Sequence, residues 1–122
     1  MAHEIVHWEL MGPDGDALAG FYEGLFGWTS EGAPGFDGYN LVAAELAGIG
    51  GAVGKGSEQM PAYLTIYVQV DDVEAHLSKA EAAGAKTVLP KTVVPGMVTF
   101  GLFADPAGNV VGVVEAEMPP AE

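Results

Sequence analysis

The chain has 122 residues, four Lys, no Arg and 17 acidic residues, for a formal charge of −13 at pH 7. Hydrophobic residues make up 49% and charged residues 17%, so one cored domain is expected rather than disorder or two independent domains. The acidic field excludes a phosphate backbone as partner, and the absence of cysteine excludes disulfides, thiolate metal sites and a cysteine nucleophile.

No apolar run reaches the ~18 residues of a membrane span. Met1–Glu4 show no basic stretch leading into an apolar one, so no signal peptide is visible. The expectation is a cytoplasmic protein with neither nucleic-acid nor membrane partners.

In chain order, Ile5–Leu10 is apolar and β-prone around His7 and Glu9. A turn over Met11–Gly15 follows, with Asp14 or Asp16 placed to cap a helix. Leu18, Phe21, Tyr22 and Leu25 recur at helical spacing, which predicts a helix from Asp16 to Leu25, ended by Gly27. Trp28 opens a short strand, and glycines then separate strands near Tyr39–Ala43 and Ile49–Val53. Gly54–Pro61 reads as a linker.

Tyr63–Val70 begins the pattern again as a strand. Asp71 or Asp72 caps a helix marked by Val73, Leu77, Ala80 and Ala83, with Gly84 as its C-cap. A strand over Lys86–Leu89 leads into a loop through Pro95 and Gly96. Strands Val98–Ala104 and Val110–Glu115 flank the turn Asp105-Pro106-Ala107-Gly108-Asn109, where Gly108 or Asn109 supplies a positive φ. The order strand–helix–three strands thus occurs twice, as module one (1–56) and module two (62–117) of a single domain, with a loose tail at 118–122. The fold class is α+β.

Four segments carry a resemblance: His7 in the first strand; Phe21-Tyr22 with Leu25-Phe26-Gly27-Trp28; Val70-Asp71-Asp72-Val73; and Asp105–Asn109. With these residues in this order, the chain resembles the vicinal oxygen chelate superfamily, the glyoxalase/bleomycin-resistance/dioxygenase group. The resemblance implies two βαβββ modules forming a curved, incomplete barrel around a ligand or metal cleft, and a homodimer. Phe21, Leu25, Phe26 and Trp28 read as the packing of helix on sheet.

Metal-using members of that group turn His, Gln and Glu inward from four strands. Mapped by motif, the first position is His7 and its second-module counterpart is Thr65. The Glu that follows Asn109 falls on Gly112, and the remaining position on Gly50 or Gly51. A divalent metal needs at least three convergent donors, so no cofactor is expected, with His7 the one place for such an ion. Glu9 shares a strand face with His7, whereas Glu115 should face away from Gly112. His3 is terminal, and His76 sits on the solvent side of its helix.

What remains is the lining of a binding cleft. Thr65, Tyr67 and Gln69 share one face of their strand, His7 and Glu9 one face of theirs, while Tyr39, Met60, Met97 and Phe100 roof the space. The first expectation is metal-independent binding of a hydrophobic or aromatic natural product, as in the drug-sequestering, antibiotic-resistance branch of the group. The alternative is a lyase, isomerase or dioxygenase, either metal-dependent at His7 or using His7 and Glu9 as an acid–base pair.

Overall fold

A computed structural model describes residues 3–115. The stretch 118–122 lies outside the described residues. Contacts divide the chain into two compact units, residues 6–66 and, together with the first residues, those from Tyr67 onward.

In the first unit, β1 (Ile5–Gly12) is followed by α1 (Gly15–Phe26), β2 (Ser30–Gly32), β3 (Tyr39–Val42), a short α2 (Ala44–Ala47) and β4 (Gly51–Lys55). The strand order is β2-β3-β4-β1, with β1 parallel to β4 and the other pairs antiparallel. Asp14, not Asp16, caps α1, accepting from Ala17 N at 3.1 Å. Gly27 closes the helix in the left-handed region at φ 75°, donating its N–H to Glu23 O.

The helix-side core of this unit is Ala19, Val42 and Val53, with Trp8, Leu10, Leu18, Tyr22 and Trp28 packed on it. The registers Trp8↔Gly51↔Val42 and Leu10↔Val53 place these strand residues on one face. By alternation, His7, Glu9, Leu41 and Ala52 belong to the other.

The second unit repeats the plan after β5 (Tyr63–Val70), whose first residues belong to the preceding unit. It contains α3 (Val73–Ala82), β6 (Lys86–Val94), β7 (Val98–Ala104) and β8 (Val110–Glu115). The order β5-β8-β7-β6 again pairs the first strand of the module in parallel with its last. Val70, Val73, Leu77 and Val113 form its helix-side core, with Phe103 against them. Asp72 is the cap, accepting from Ala75 N at 3.0 Å. In the turn before β8, Gly108 takes the positive φ (99°) while Asp105 accepts from Ala107 N and Asn109 N.

Four details differ from the sequence reading. The strand β6 runs through Pro90 instead of stopping at Leu89. It is the last strand of its quartet and shifts register between Leu89 and Thr92, and an edge or a bulge is where a missing N–H is tolerated. The helix α3 ends at a C-cap on Ala83, with Gly84 one residue beyond it. The helix α2 was not anticipated.

The fourth difference is at α1. Phe21, Leu25 and Phe26 are each 57% exposed, so of the aromatic signature only Tyr22 and Trp28 pack into the core. The outer rings still gather into a cluster, with Phe26 and Trp28 centroids 5.0 Å apart.

Candidate functional site

The non-helix face of the first quartet carries the one cluster of interacting ionisable groups that the sequence singled out. Glu9 is 7% exposed, and burial of a carboxylate requires donors. Tyr39 supplies one: its hydroxyl donates to Glu9 Oε2 at 2.5 Å. A phenol has a single proton, so with that proton on Glu9 the Tyr39 oxygen accepts from His7 Nε2, 2.8 Å away. Imidazole, phenol and carboxylate thus form a directed chain from His7 through Tyr39 to Glu9.

Tyr39 reaches both because β3 opens at that residue. Its ring lies over the Gly54 backbone, where a side chain would meet both it and Met11. Tyr63 completes the cluster through a side-chain hydrogen bond to Glu9. Burial, followed by the Glu9 charge, pushes the Tyr63 hydroxyl up to about 12. His7 is held below the ordinary histidine range because burial disfavours the imidazolium more than the nearby Glu9 favours it. At neutral pH His7 is therefore an uncharged imidazole.

His7 also forms part of the wall of a pocket of about 430 Å³ within the same unit. The other walls come from Val6, from Thr29–Glu31 at the start of β2, from Leu41–Ala44 with Leu46, and from Gly50 and Gly51. The helix α2 forms because Ala44-Glu45-Leu46-Ala47 are good helix formers stopped by Gly48 at φ 87°, and it encloses one side.

The residues expected to form one lining fall in both units. His7, Glu9, Tyr39, Met60 and Thr65 lie in the first, and Tyr67, Gln69, Met97 and Phe100 in the second. The structure joins His7, Tyr39 and Glu9. Tyr39, expected in the roof, is the middle link of that chain. Thr65 is 3% exposed, with its hydroxyl 3.4 Å from Ile66 O. Met60 donates its backbone N–H to Ser57 Oγ in the bend before β5. In the second unit, Tyr67 is 6% exposed and meets Phe100 edge-on at 6.1 Å, Gln69 is half-buried opposite Val114, and Met97 is exposed in the turn between β6 and β7.

Two residues escaped the sequence reading. Tyr63 stands two places before Thr65, so the alternation used for Thr65, Tyr67 and Gln69 extends to it. Glu31 sits in a short, glycine-flanked strand whose pairing is settled only in three dimensions.

The mapped metal positions do not fit a metal. Thr65 and Gly112 carry no ionisable donor, and a side chain at Gly112 would collide with the Tyr67 ring. Gly51 pairs with Trp8 on the helix side, where a side chain would meet the indole. Register places Ala52 opposite Glu9, so Gly51 is the wrong choice of the two offered for that position. Among the described residues no group of three His, Asp or Glu is placed to hold a metal ion. Glu115 faces away, as expected, and its carboxylate accepts from Val73 N at 3.1 Å at the start of α3. His76 is half-buried, its ring edge-on to His3 at 5.2 Å.

A profile described as the Glyoxalase-like domain matches residues 9–114, nearly the whole of both modules. The chain belongs to the glyoxalase-like domain family. It is 33% identical over 121 residues to an anthracycline biosynthesis protein, DnrV, of Streptomyces peucetius, covering 86% of this chain and 44% of that one. It is 30% identical over 110 residues to the putative glyoxylase CFP32 of Mycobacterium tuberculosis, covering 88% and 42% respectively. The chain therefore spans less than half the length of the curated relatives it matches.

A crystal structure of a glyoxalase/bleomycin resistance protein/dioxygenase superfamily member from Vibrio splendidus superposes with a TM-score of 0.61. The identity is 14%, with 93% of this chain and 98% of that chain covered. This likeness carries the fold, and with the family match it establishes the vicinal oxygen chelate assignment and the α+β, twice-βαβββ class. Among the described residues of this glyoxalase-like chain, no helix is long and apolar enough to cross a membrane.

Proposed function

We propose that the chain binds a small hydrophobic or aromatic molecule without a metal, in the pocket walled by His7, Leu41 and Leu46. The observation that carries this reading is the chain of hydrogen bonds from His7 through Tyr39 to Glu9. It commits the strongest donor atoms of the face to one another and holds the imidazole beside an apolar cavity. A pocket of apolar walls with a few oriented polar groups is the usual form of a small-molecule site. The likeness to a protein named for anthracycline biosynthesis supports a natural product as guest. Sequestration, with the guest released unaltered, is the biological role in this reading, and a cytoplasmic homodimer its setting.

The test combines metal analysis with ligand recovery. Purified protein is expected to hold no stoichiometric metal, to bind a naphthalene-sized neutral probe, and to return it unchanged after prolonged incubation. Stoichiometric metal, or binding abolished by a chelator, overturns the reading. Filling the cavity should abolish binding without unfolding the chain: Gly50→Leu suits, since an added Cβ there meets only ordinary contacts.

A second reading is metal-free acid–base catalysis, favoured by the 2.5 Å bond between Tyr39 and Glu9. A neutral His7 would accept a substrate proton and return it at a second position, with the Glu9 charge stabilising the imidazolium through Tyr39. Deuterium appearing in a ligand recovered from heavy water supports it, and a ligand recovered without label counts against it.

A further inference from the structure

We infer that the first-unit pocket selects a cationic guest, an apolar ring system bearing a protonated amine, with Glu31 as the group that receives the ammonium. The inference rests on the proposed binding reading and deepens it by naming the charge of the guest. Among the described residues, the lining contains two titratable side chains, His7 and Glu31. His7 donates Nε2–H to Tyr39 and is uncharged at neutral pH, so it contributes no positive charge. Glu31 is left as the one formal charge in the wall, and that charge is negative.

The four lysines, Lys55, Lys79, Lys86 and Lys91, all lie outside the lining, and the chain has no Arg to supply a counter-charge. The lining also carries apolar side chains, among them Leu41, which pairs with Glu31 across β2 and β3. Leu41 and Leu46 are 41% and 46% exposed, and Val6 is 36% exposed, so this surface gains from being covered by a ring system. A lining that combines exposed apolar side chains, one carboxylate and a neutral imidazole matches an amphiphilic amine. The same arrangement repels a carboxylate or phosphate. The overall charge of −13 acts in the same direction without being specific to the pocket, so any test has to separate the two.

Three probes with one ring system achieve this: 1-naphthylmethylamine, 1-naphthalenemethanol and 1-naphthoate, measured by equilibrium dialysis at low and high salt. The expected order is amine, alcohol, carboxylate, with roughly a two- to fivefold step between amine and alcohol at low salt, as for an exposed ion pair, shrinking at high salt. In Glu31→Gln the step between amine and alcohol should close.

An alcohol that binds as tightly as the amine in the wild type overturns the charge inference and leaves the pocket reading standing. An amine preference that survives Glu31→Gln assigns it to the overall field and overturns the inference equally. Probes that all fail to bind, or that bind equally well to Gly50→Leu, overturn the pocket reading itself.

Discussion

At the scale of single residues, the chain from His7 to Glu9 hangs on one hydroxyl. Removing it by Tyr39→Phe leaves Glu9 with one donor fewer while still 7% exposed, and takes the acceptor from His7 Nε2. The expected cost is about 1–3 kcal/mol, the usual penalty for stranding a buried polar group, read as a lower urea midpoint with an unchanged slope. The two titrating neighbours make signed predictions.

Because the folded state disfavours protonated His7, the unfolded chain takes up a proton first as pH falls through 6.5. Stability conferred by neutral His7 is therefore complete above that pH and is lost on acidification down through the folded value. The wild type should lose more stability than His7→Gln between pH 7 and 5 in urea titrations. Tyr63 behaves in the opposite sense. The unfolded tyrosine ionises near 10 and the folded one only near about 12, so stability declines across that alkaline interval. A late step in the ultraviolet tyrosinate titration, absent in Tyr63→Phe, is the check.

Among the elements, α1 and α3 start alike and differ in what covers them. The helix α3 is capped twice, by Asp72 on Ala75 N and by Glu115 reaching from β8 to Val73 N. Asp72→Ala should cost about 1 kcal/mol, measured by thermal unfolding, with Glu115→Gln smaller because an amide oxygen still accepts. Sequence periodicity located both helices, since the apolar spacing that makes a stripe is local information. It misjudged the depth of α1. Phe21, Leu25 and Phe26 occupy the stripe or its margin, yet how far a helix sinks depends on the sheet beneath it. Tyr22 and Trp28 already fill that space over Trp8. Pro90 misled for a related reason, because a proline reads as a strand end unless the strand is known to be an edge.

On the scale of the whole molecule, the exposed side of α1 bears on the homodimer that the family resemblance implies and that we retain as a proposal. Three large apolar side chains at 57% exposure on one helix are a substantial apolar surface for a chain whose net charge opposes self-association. If this helix forms a dimer contact, Phe21→Ser with Phe26→Ser should shift sedimentation from dimer to monomer. The stability of the monomer should change by less than about 0.5 kcal/mol, as for exposed substitutions. A dimer that persists unchanged places the contact elsewhere.

The sequence by itself determined the class, the duplicated strand–helix–three-strand order, the short segments that hold the helix N-caps and the last turn, and the pairing of His7 with Glu9 on one strand face. All of these follow from local chemistry or from a period of two or 3.6 residues. Only the tertiary structure decided that Tyr39 lies between that pair, that Tyr63 reaches Glu9, and that Gly51 turns toward Trp8 while Ala52 stands opposite Glu9. Those facts depend on register between strands far apart in the chain, and a shift of one residue exchanges every side chain between the faces of a sheet. His7 and Glu9 were legible as a polar pair on an apolar face. Their satisfaction by a phenol was not, because nothing near them in sequence marks the partner.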